Sequence, residues 1–295
     1  MHVMVALDES GYAETILRWM RAFPWPKETR LKVVHVLEPL DVPDALGPKR
    51  YHQLLRQQRE GAEALLARAR KLLQKTFSEV ETRLREGLPI YEILKLLRDL
   101  HPDLVVSGTR GVYGAKGLVL GSVSQRLLTY APCSVMLIPA KVQRSDGLKV
   151  MLATDGSRGA KAAARLIADL PALEEVMVVT VVRPLDPRDL LLEGATGTQS
   201  RTMRAQILQG RRTAARRAIQ ETAEVLRSTS VPIRTRLLVG HPGSAIPQAA
   251  RRERSDLLVL GSRGLTGLKA AALGSVSLAV AQLSHCPMLI VKPAS

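Results

Sequence analysis

Residues 87–138 align with residues 240–291 at a constant offset of 153, without a gap, and eighteen of the fifty-two positions are identical. Whatever fold the first segment takes, the second must take as well. The start of the chain repeats too, since Val3-Met4-Val5-Ala6-Leu7-Asp8-Glu9-Ser10 matches Val150-Met151-Leu152-Ala153-Thr154-Asp155-Gly156-Ser157 at an offset of 147, with five of eight residues identical. Six residues have therefore been added within the second copy. The segment 184–200 shares no register with the first copy and carries Pro, Asp and Gly, so it is expected to be a mobile loop that holds them. A chain of 295 residues fits two domains on the usual scale of about 150 residues each. They are set at 1–140 and 148–295, with residues 140–147 as linker.

In the first copy, strand-like runs at 2–7, 31–37, 80–85, 104–107 and 135–138 alternate with helical stretches at 12–22, 50–76, 90–100 and from 122 to just before Pro132. Strands separated by helices make a parallel sheet. Ser10 is the expected N-cap of the first helix. The second copy repeats the order from Lys149 to Val291. The predicted fold is α/β, two tandem doubly wound domains. Each is a five-stranded parallel sheet of order 3-2-1-4-5 flanked by helices. In such sheets ligands bind beyond the carboxyl ends of the strands, where strand order reverses.

That place is where the strongest motif falls. Gly108-x2-Gly111-x9-Gly121-Ser122 recurs as Gly261-x2-Gly264-x9-Gly274-Ser275, each copy after a short apolar run and before a helical stretch. A glycine ending a strand lets a ribose or phosphate approach the backbone, and one inside the loop permits a positive φ. The helix opening at Gly121 presents the amides of Ser122, Val123 and Ser124, and the one at Gly274 those of Ser275, Val276 and Ser277. The helix dipole behind them contributes on the order of 0.3–1 kcal/mol toward an anion. The hydroxyls of Ser122 and Ser124 add donors. Arg110 and Arg263 stand at one matched loop position, Lys116 and Lys269 at another, and supply cations for phosphate charge. Neither copy is a G-x4-G-K-[ST] loop or a G-x-G-x-x-G turn. With Asp8 and Asp155 closing the first strands, each copy gathers one crevice; both aspartates also suit a helix cap.

The glycine spacing after Leu104-Val105-Val106, the Asp at the end of strand one, Asp103 and Asp256 opening strand four, and the ending Cys286-Pro-Met-Leu-Ile-Val291 resemble the universal stress protein family. The resemblance covers nearly the whole chain, twice; the first copy departs from it in reading Pro132-Cys133-Ser134. Members with the complete spacing are typically ATP binders. The resemblance implies that Ala6, Leu7 and Asp8 line the nucleoside side of the first pocket, that Val36 holds the adenine through its backbone, and that 108–111 and 121–124 hold ribose and phosphates. It assigns Ala153, Thr154, Asp155, Val181, 261–264 and 274–277 to the second. The implied ligand is ATP, with or without Mg2+. The family also implies that the last strands, ending at Ile138 and Val291, pair so that the tandem chain mimics a dimer, with further homodimerisation left open.

Nothing in the motif must be a catalytic base, so the expectation is a nucleotide-binding stress-response regulator with a protein partner, and any ATP turnover slow. The competing classes are a basic surface for nucleic acid or acidic lipid, because the formal charge is +16, and a scaffold that uses protein contacts alone. Residues 1–147 hold 22 basic and 16 acidic residues and the remainder 21 and 11, so most of the excess lies in the second half. Arg201, Arg204, Arg211, Arg212, Arg216 and Arg217 share one acid-free helical stretch. With aromatics only 3% of the chain there is little for base stacking, which favours a solvated or partner-facing helix. Cys133 and Cys286 are expected as packed thiols, no metal site is encoded by spacing, and no apolar run spans a membrane, so the cytosol is the expected compartment.

Overall fold

The computed structural model describes residues 1–40, 47–109, 120–142, 147–185, 198–262, 264 and 273–293, with side chains from residue 202 onward in the helix that begins at 198. They fall into two units, one formed by Met1–Gln143 with Cys286–Ile290, the other by Arg144–His285 with Val291–Ser295. Arg110, Gly111, Lys116, Arg263 and Lys269, like residues 186–197 of the expected loop, lie outside the described residues.

Unit 1 holds β1 (His2–Leu7), β2 (Arg30–Leu37), β3 (Glu79–Glu86), β4 (Leu104–Gly108) and β5 (Ser134–Ile138), parallel and in the order β3-β2-β1-β4-β5. Unit 2 holds β6 (Leu148–Ala153), β7 (Leu173–Val182), β8 (Ile233–Val239) and β9 (Leu257–Gly261), again parallel, in the order β8-β7-β6-β9. The strand β10 (Met288–Val291) contributes residues 288–290 to unit 1, antiparallel to β5 with Leu289 opposite Met136. The chain is thus an α/β protein of two tandem doubly wound domains. Central strands β1, β4, β5 and β9 are nearly continuous apolar runs, buried on both faces as parallel strands must be. Edge strands β3 and β8 carry charge instead, tied by Arg30–Glu79, Lys32–Glu81 and Arg234–Glu175, which discourages pairing with another chain.

Helices α1 (Ala13–Ala22), α2 (Pro48–Leu73), α3 (Pro89–Leu100) and α4 (Ser122–Tyr130) cover unit 1; α5 (Arg158–Ala168), α6 (Thr198–Leu226), α7 (Pro242–Arg252) and α8 (Ser275–Leu283) cover unit 2. Pro89 and Pro242 sit in the first turns of α3 and α7, where a missing N–H costs nothing. Before each, Gly87 and Gly240 adopt φ of 139° and 141°, a conformation open to glycine. One expectation fails at α1: its N-cap is Tyr12 without a side-chain cap, and the Ser10 hydroxyl, which donates to the Asp8 carboxylate, accepts from the N–H of Tyr12 at 3.4 Å, ahead of the first helical residue. The matching Ser157 does cap α5, accepting from the Ala160 N–H at 3.2 Å. The helix α6 begins at Thr198, inside the segment expected to be loop. Glu221 ties it to α5, its carboxyl held below the usual range by hydrogen bonds from Lys161 and Arg217.

Both tryptophans and both phenylalanines form one cluster in unit 1: Trp19, Phe23, Trp25 and Phe77, with successive ring centroids 5.7, 4.5 and 6.0 Å apart. No aromatic residue follows position 147. Unit 2 is packed by aliphatic side chains and by a buried polar contact between the Thr154 and Thr222 hydroxyls, 2.7 Å apart.

The same helix–loop approach is packed in opposite ways in the two units. A Cβ at Gly61 of α2 would lie 3.3 Å from the tip of the Glu9 side chain, whereas a Cβ at Gly156, the counterpart of Glu9, would lie 3.2 Å from the Ala218 Cβ of α6. Gly156 also has φ +81°. Gly156→Ala is therefore expected to destabilise the protein by about 1–3 kcal/mol, while Gly61→Ala, mid-helix against a flexible side chain, raises stability by up to about 1 kcal/mol. Denaturant unfolding followed by far-ultraviolet circular dichroism checks both signs.

Candidate functional site

Beyond the carboxyl ends of β1, β2 and β4, unit 1 opens a cleft of about 380 Å³. Its walls include Ala6, Leu7 and Asp8 from the end of β1, Val36 from β2, Gly108 from β4, and Gly121, Ser122, Val123 and Ser124 at the start of α4. The register brings these together: β1 lies between β2 and β4, with Leu7 beside His35 and Val5 beside Val106. The size suits a small organic molecule.

Two hydrogen bonds fix the glycine segment at its ends. The Gly121 N–H donates to the Thr109 carbonyl at 2.7 Å, and the Ser124 hydroxyl donates to the Gly108 carbonyl at 2.7 Å. Unit 2 repeats both, Gly274 N–H to Ser262 and Ser277 hydroxyl to Gly261, each at 3.0 Å. In both copies the Ser-Val-Ser triplet goes from exposed to half-buried to buried. Gly121 and Gly274 are the N-caps of α4 and α8 and offer no side-chain cap, so the first-turn amides keep their capacity to donate.

The universal stress protein family model matches residues 1–139 and again 148–292. The chain belongs to the universal stress protein family. A universal stress protein of Mycobacterium tuberculosis is 26% identical over 307 residues, covering 98% of this chain and 96% of its own. One of Thermus aquaticus is 35% identical over 136 residues, 46% of this chain and 96% of its own. The crystal structure of a universal stress protein from Archaeoglobus fulgidus superposes with a TM-score of 0.65 at 20% identity, covering 99% of this chain and 96% of that one.

In this universal stress protein Asp8 and Asp155 each organise the turn after the first strand. Asp8 Oδ1 accepts from the Ser10 N–H at 3.2 Å and from the Ser10 hydroxyl, and Asp155 Oδ1 accepts from the Ser157 N–H at 3.0 Å. Asp155 also lies against Gly264, bringing together two residues from distant parts of the second copy. A Cβ at Gly261 would meet the backbone of Gly159 and Ala160 at 2.6 and 2.8 Å, so glycine is needed where β9 passes the first turn of α5. Ala153 ends β6 and Thr154 follows it, and Thr154 carries three contacts at once. Its carbonyl accepts from Thr180, its hydroxyl meets Thr222, and the Gly156 N–H donates to it at 3.0 Å. Val181 stands beside Thr180 near the end of β7.

The Ser124 hydroxyl, expected as a phosphate donor, is engaged by Gly108, and that of Ser277 by Gly261; the exposed Ser122 and Ser275 keep theirs on the surface. His35 was not among the expected site residues. It lines the cleft with its Nδ1–H on the Leu7 carbonyl at 2.9 Å, and its Nε2 lies 4.0 Å from Glu9. Thr180 makes the corresponding contact to Thr154 at 2.6 Å. A lone polar residue near the end of an apolar strand, in both copies, is the signal that finds it. Glu9, Glu38, Gln58, Tyr91 and Arg126 also line the cleft. They come from separate elements that no spacing connects.

Cys133 and Cys286 are buried thiols. No helix among the described residues is long and apolar enough to cross a membrane. On α6, Arg211 donates to the Arg183 and Pro184 carbonyls and Arg217 pairs with Glu221, whereas Arg204, Arg212 and Arg216 form no ion pair among the described residues. Ser124→Ala removes the shorter of two hydroxyl contacts to the buried Gly108 carbonyl and Ser277→Ala the hydroxyl contact to the half-buried Gly261 carbonyl, and each should cost about 0.5–1.5 kcal/mol. Thermal unfolding of the two single variants measures this.

Proposed function

We propose that this protein is an ATP-binding regulator of the stress response, with a nucleotide held in each unit by the glycine-rich segment between β4 and α4 or between β9 and α8. The observation that supports it is the cleft in unit 1 that collects the end of β1, Val36, Gly108 and the uncapped start of α4. Ala6, Leu7, Asp8 and Val36 would hold the nucleoside; Gly108 and residues 121–124 would take ribose and phosphates through backbone amides. Ala153, Thr154, Asp155, Val181, Gly261, Gly264 and residues 274–277 would do the same in unit 2. A Mg2+ would be carried by the phosphates, since the described residues gather no three His, Cys, Asp or Glu side chains for a metal.

Hydrolysis is not the expected task. Asp8 Oδ1, at the end of β1, accepts from the Ser10 N–H and hydroxyl, a turn-forming role, and nothing in the glycine motif must act as a base. Single-turnover measurements with Mg2+ should give a rate below about 1 per second, the lower end of ordinary enzymes. Arg204, Arg212 and Arg216, which form no ion pair among the described residues, support a second reading, a basic surface. With no aromatic in the second half of the chain, that surface is limited to backbone phosphates.

Gly121 (φ −78°, ψ 163°) and Gly274 (φ −63°, ψ 142°) sit in backbone conformations open to any residue. Gly121→Val and Gly274→Val should therefore fold, yet place a branched side chain where phosphate meets the backbone. Calorimetric titration with ATP should show one site lost in each variant and both in the double variant. Normal ATP binding by the double variant, or no binding by the unsubstituted chain, overturns the proposal.

A further inference from the structure

The glycine segments of the two copies are matched, but the charged side chains around the two crevices are not. Leu37 and Val182 both accept through their carbonyls from the positive-φ glycines, Gly87 at 2.9 Å and Gly240 at 3.1 Å. The residues that follow, Glu38 and Arg183, therefore occupy one structural position. The shared Asp turn makes Glu9 the counterpart of Gly156. Arg126 and Ala279 are each the fifth residue of their helices, α4 and α8.

At these four positions unit 1 presents Asp8, Glu9 and Glu38 against Arg126, all lining its cleft. Unit 2 presents Asp155 against Arg183, with Gly156 and Ala279 neutral. The formal charge is −2 in one and zero in the other. Arg211 adds a further cation in unit 2, its guanidinium donating to the carbonyls of Arg183 and Pro184 at 3.2 and 3.1 Å. The loop cations are of the same type in both copies, Arg110 with Arg263 and Lys116 with Lys269, and cancel in the comparison.

We infer that the two crevices are matched to nucleotides of different charge, that of unit 2 to a polyphosphate and that of unit 1 to a nucleotide with a single phosphate. This rests on the nucleotide reading above and gives each site its own ligand class. Two unit charges about 10 Å apart in water change an equilibrium about two-fold. ATP carries about two more negative charges than AMP, so a two-charge difference at the rim is worth about ten-fold in the preference between them. The effect belongs to low salt, because the screening length falls from about 30 Å at 0.01 M to about 8 Å at 0.15 M.

The full chain carrying Gly274→Val keeps the unit 1 site, and that carrying Gly121→Val keeps the unit 2 site. Each is titrated with ATP and with AMP at about 0.01 M and 0.15 M salt. The ratio Kd(AMP)/Kd(ATP) should be about ten-fold larger for unit 2 at low salt and should converge toward that of unit 1 at the higher salt. Glu9→Gly, Glu38→Arg and Arg126→Ala, introduced together beside Gly274→Val, transfer the unit 2 residues to unit 1 and should move its ratio to the unit 2 value. Should circular dichroism show that an isolating substitution unfolds the chain, the same swap in the unsubstituted protein must raise the ratio Kd(AMP)/Kd(ATP) about ten-fold at one of its sites. Equal ratios at the two sites, or a ratio the swap does not move, overturn this inference while leaving nucleotide binding intact. Absence of nucleotide binding in the unsubstituted chain overturns both.

Discussion

The Ser124 hydroxyl on the Gly108 carbonyl is the contact on which the crevice depends, because it holds the first turn of α4 against the last residue of β4. With the Gly121 N–H on the Thr109 carbonyl, it fixes both ends of the segment between them. Bringing distant ends of a loop together has an entropic cost that grows slowly with its length. Two hydrogen bonds placed at the closure offset that cost. The repetition of both bonds in unit 2 explains a feature of the duplication. Gly-Ser-Val-Ser is identical in the two copies, whereas the next residues, Gln125-Arg126-Leu127 and Leu278-Ala279-Val280, have diverged. The four retained residues are the ones that close the loop and present the helix start.

Legibility in the sequence followed the range of the forces involved. Strand positions and the order of the first unit's sheet were readable because parallel strands buried on both faces leave long apolar runs, as at Val3–Leu7 and Leu104–Val106. The glycine spacing was readable because backbone approach excludes other residues, as Gly261 illustrates against Gly159 and Ala160. The cap of α1 was misread for a local reason. The Ser10 hydroxyl both donates to the Asp8 carboxylate and accepts from the Tyr12 N–H, and composition does not say at which residue after this turn the helix begins. His35, Gln58 and Tyr91 were not readable as wall residues, since they enter the cleft from β2, α2 and α3 only after the sheet has brought those elements together.

The two units keep their hydrogen-bond frame while exchanging what fills it. His35 and Thr180 differ in size and chemistry, yet each bonds the carbonyl of the residue that follows the buried run of the first strand. Asp103 and Asp256 each accept from the backbone N–H at the start of the first strand, His2 at 2.7 Å and Lys149 at 2.9 Å. Main-chain partners of this kind do not change when a neighbouring side chain does, so they survive duplication. Side chains that meet α2 or α6 have no such protection, because those helices differ in length and register.

That difference accounts for where the asymmetry between the crevices arises. Glu9 extends toward Gly61 of α2, and Gly156 makes room for Ala218 of α6, so side-chain volume has moved from the turn to the helix. The move removes a carboxylate from one rim as a consequence of packing. The change from Glu38 to Arg183 lies in the same region, and Arg211 of α6 reaches the Arg183 carbonyl there. A helix that repacks against the end of a sheet thus alters the charge of the adjoining crevice without touching the glycine segment that defines it. Coulomb interactions over about 10 Å feel such a change even though no atom of the loop need shift.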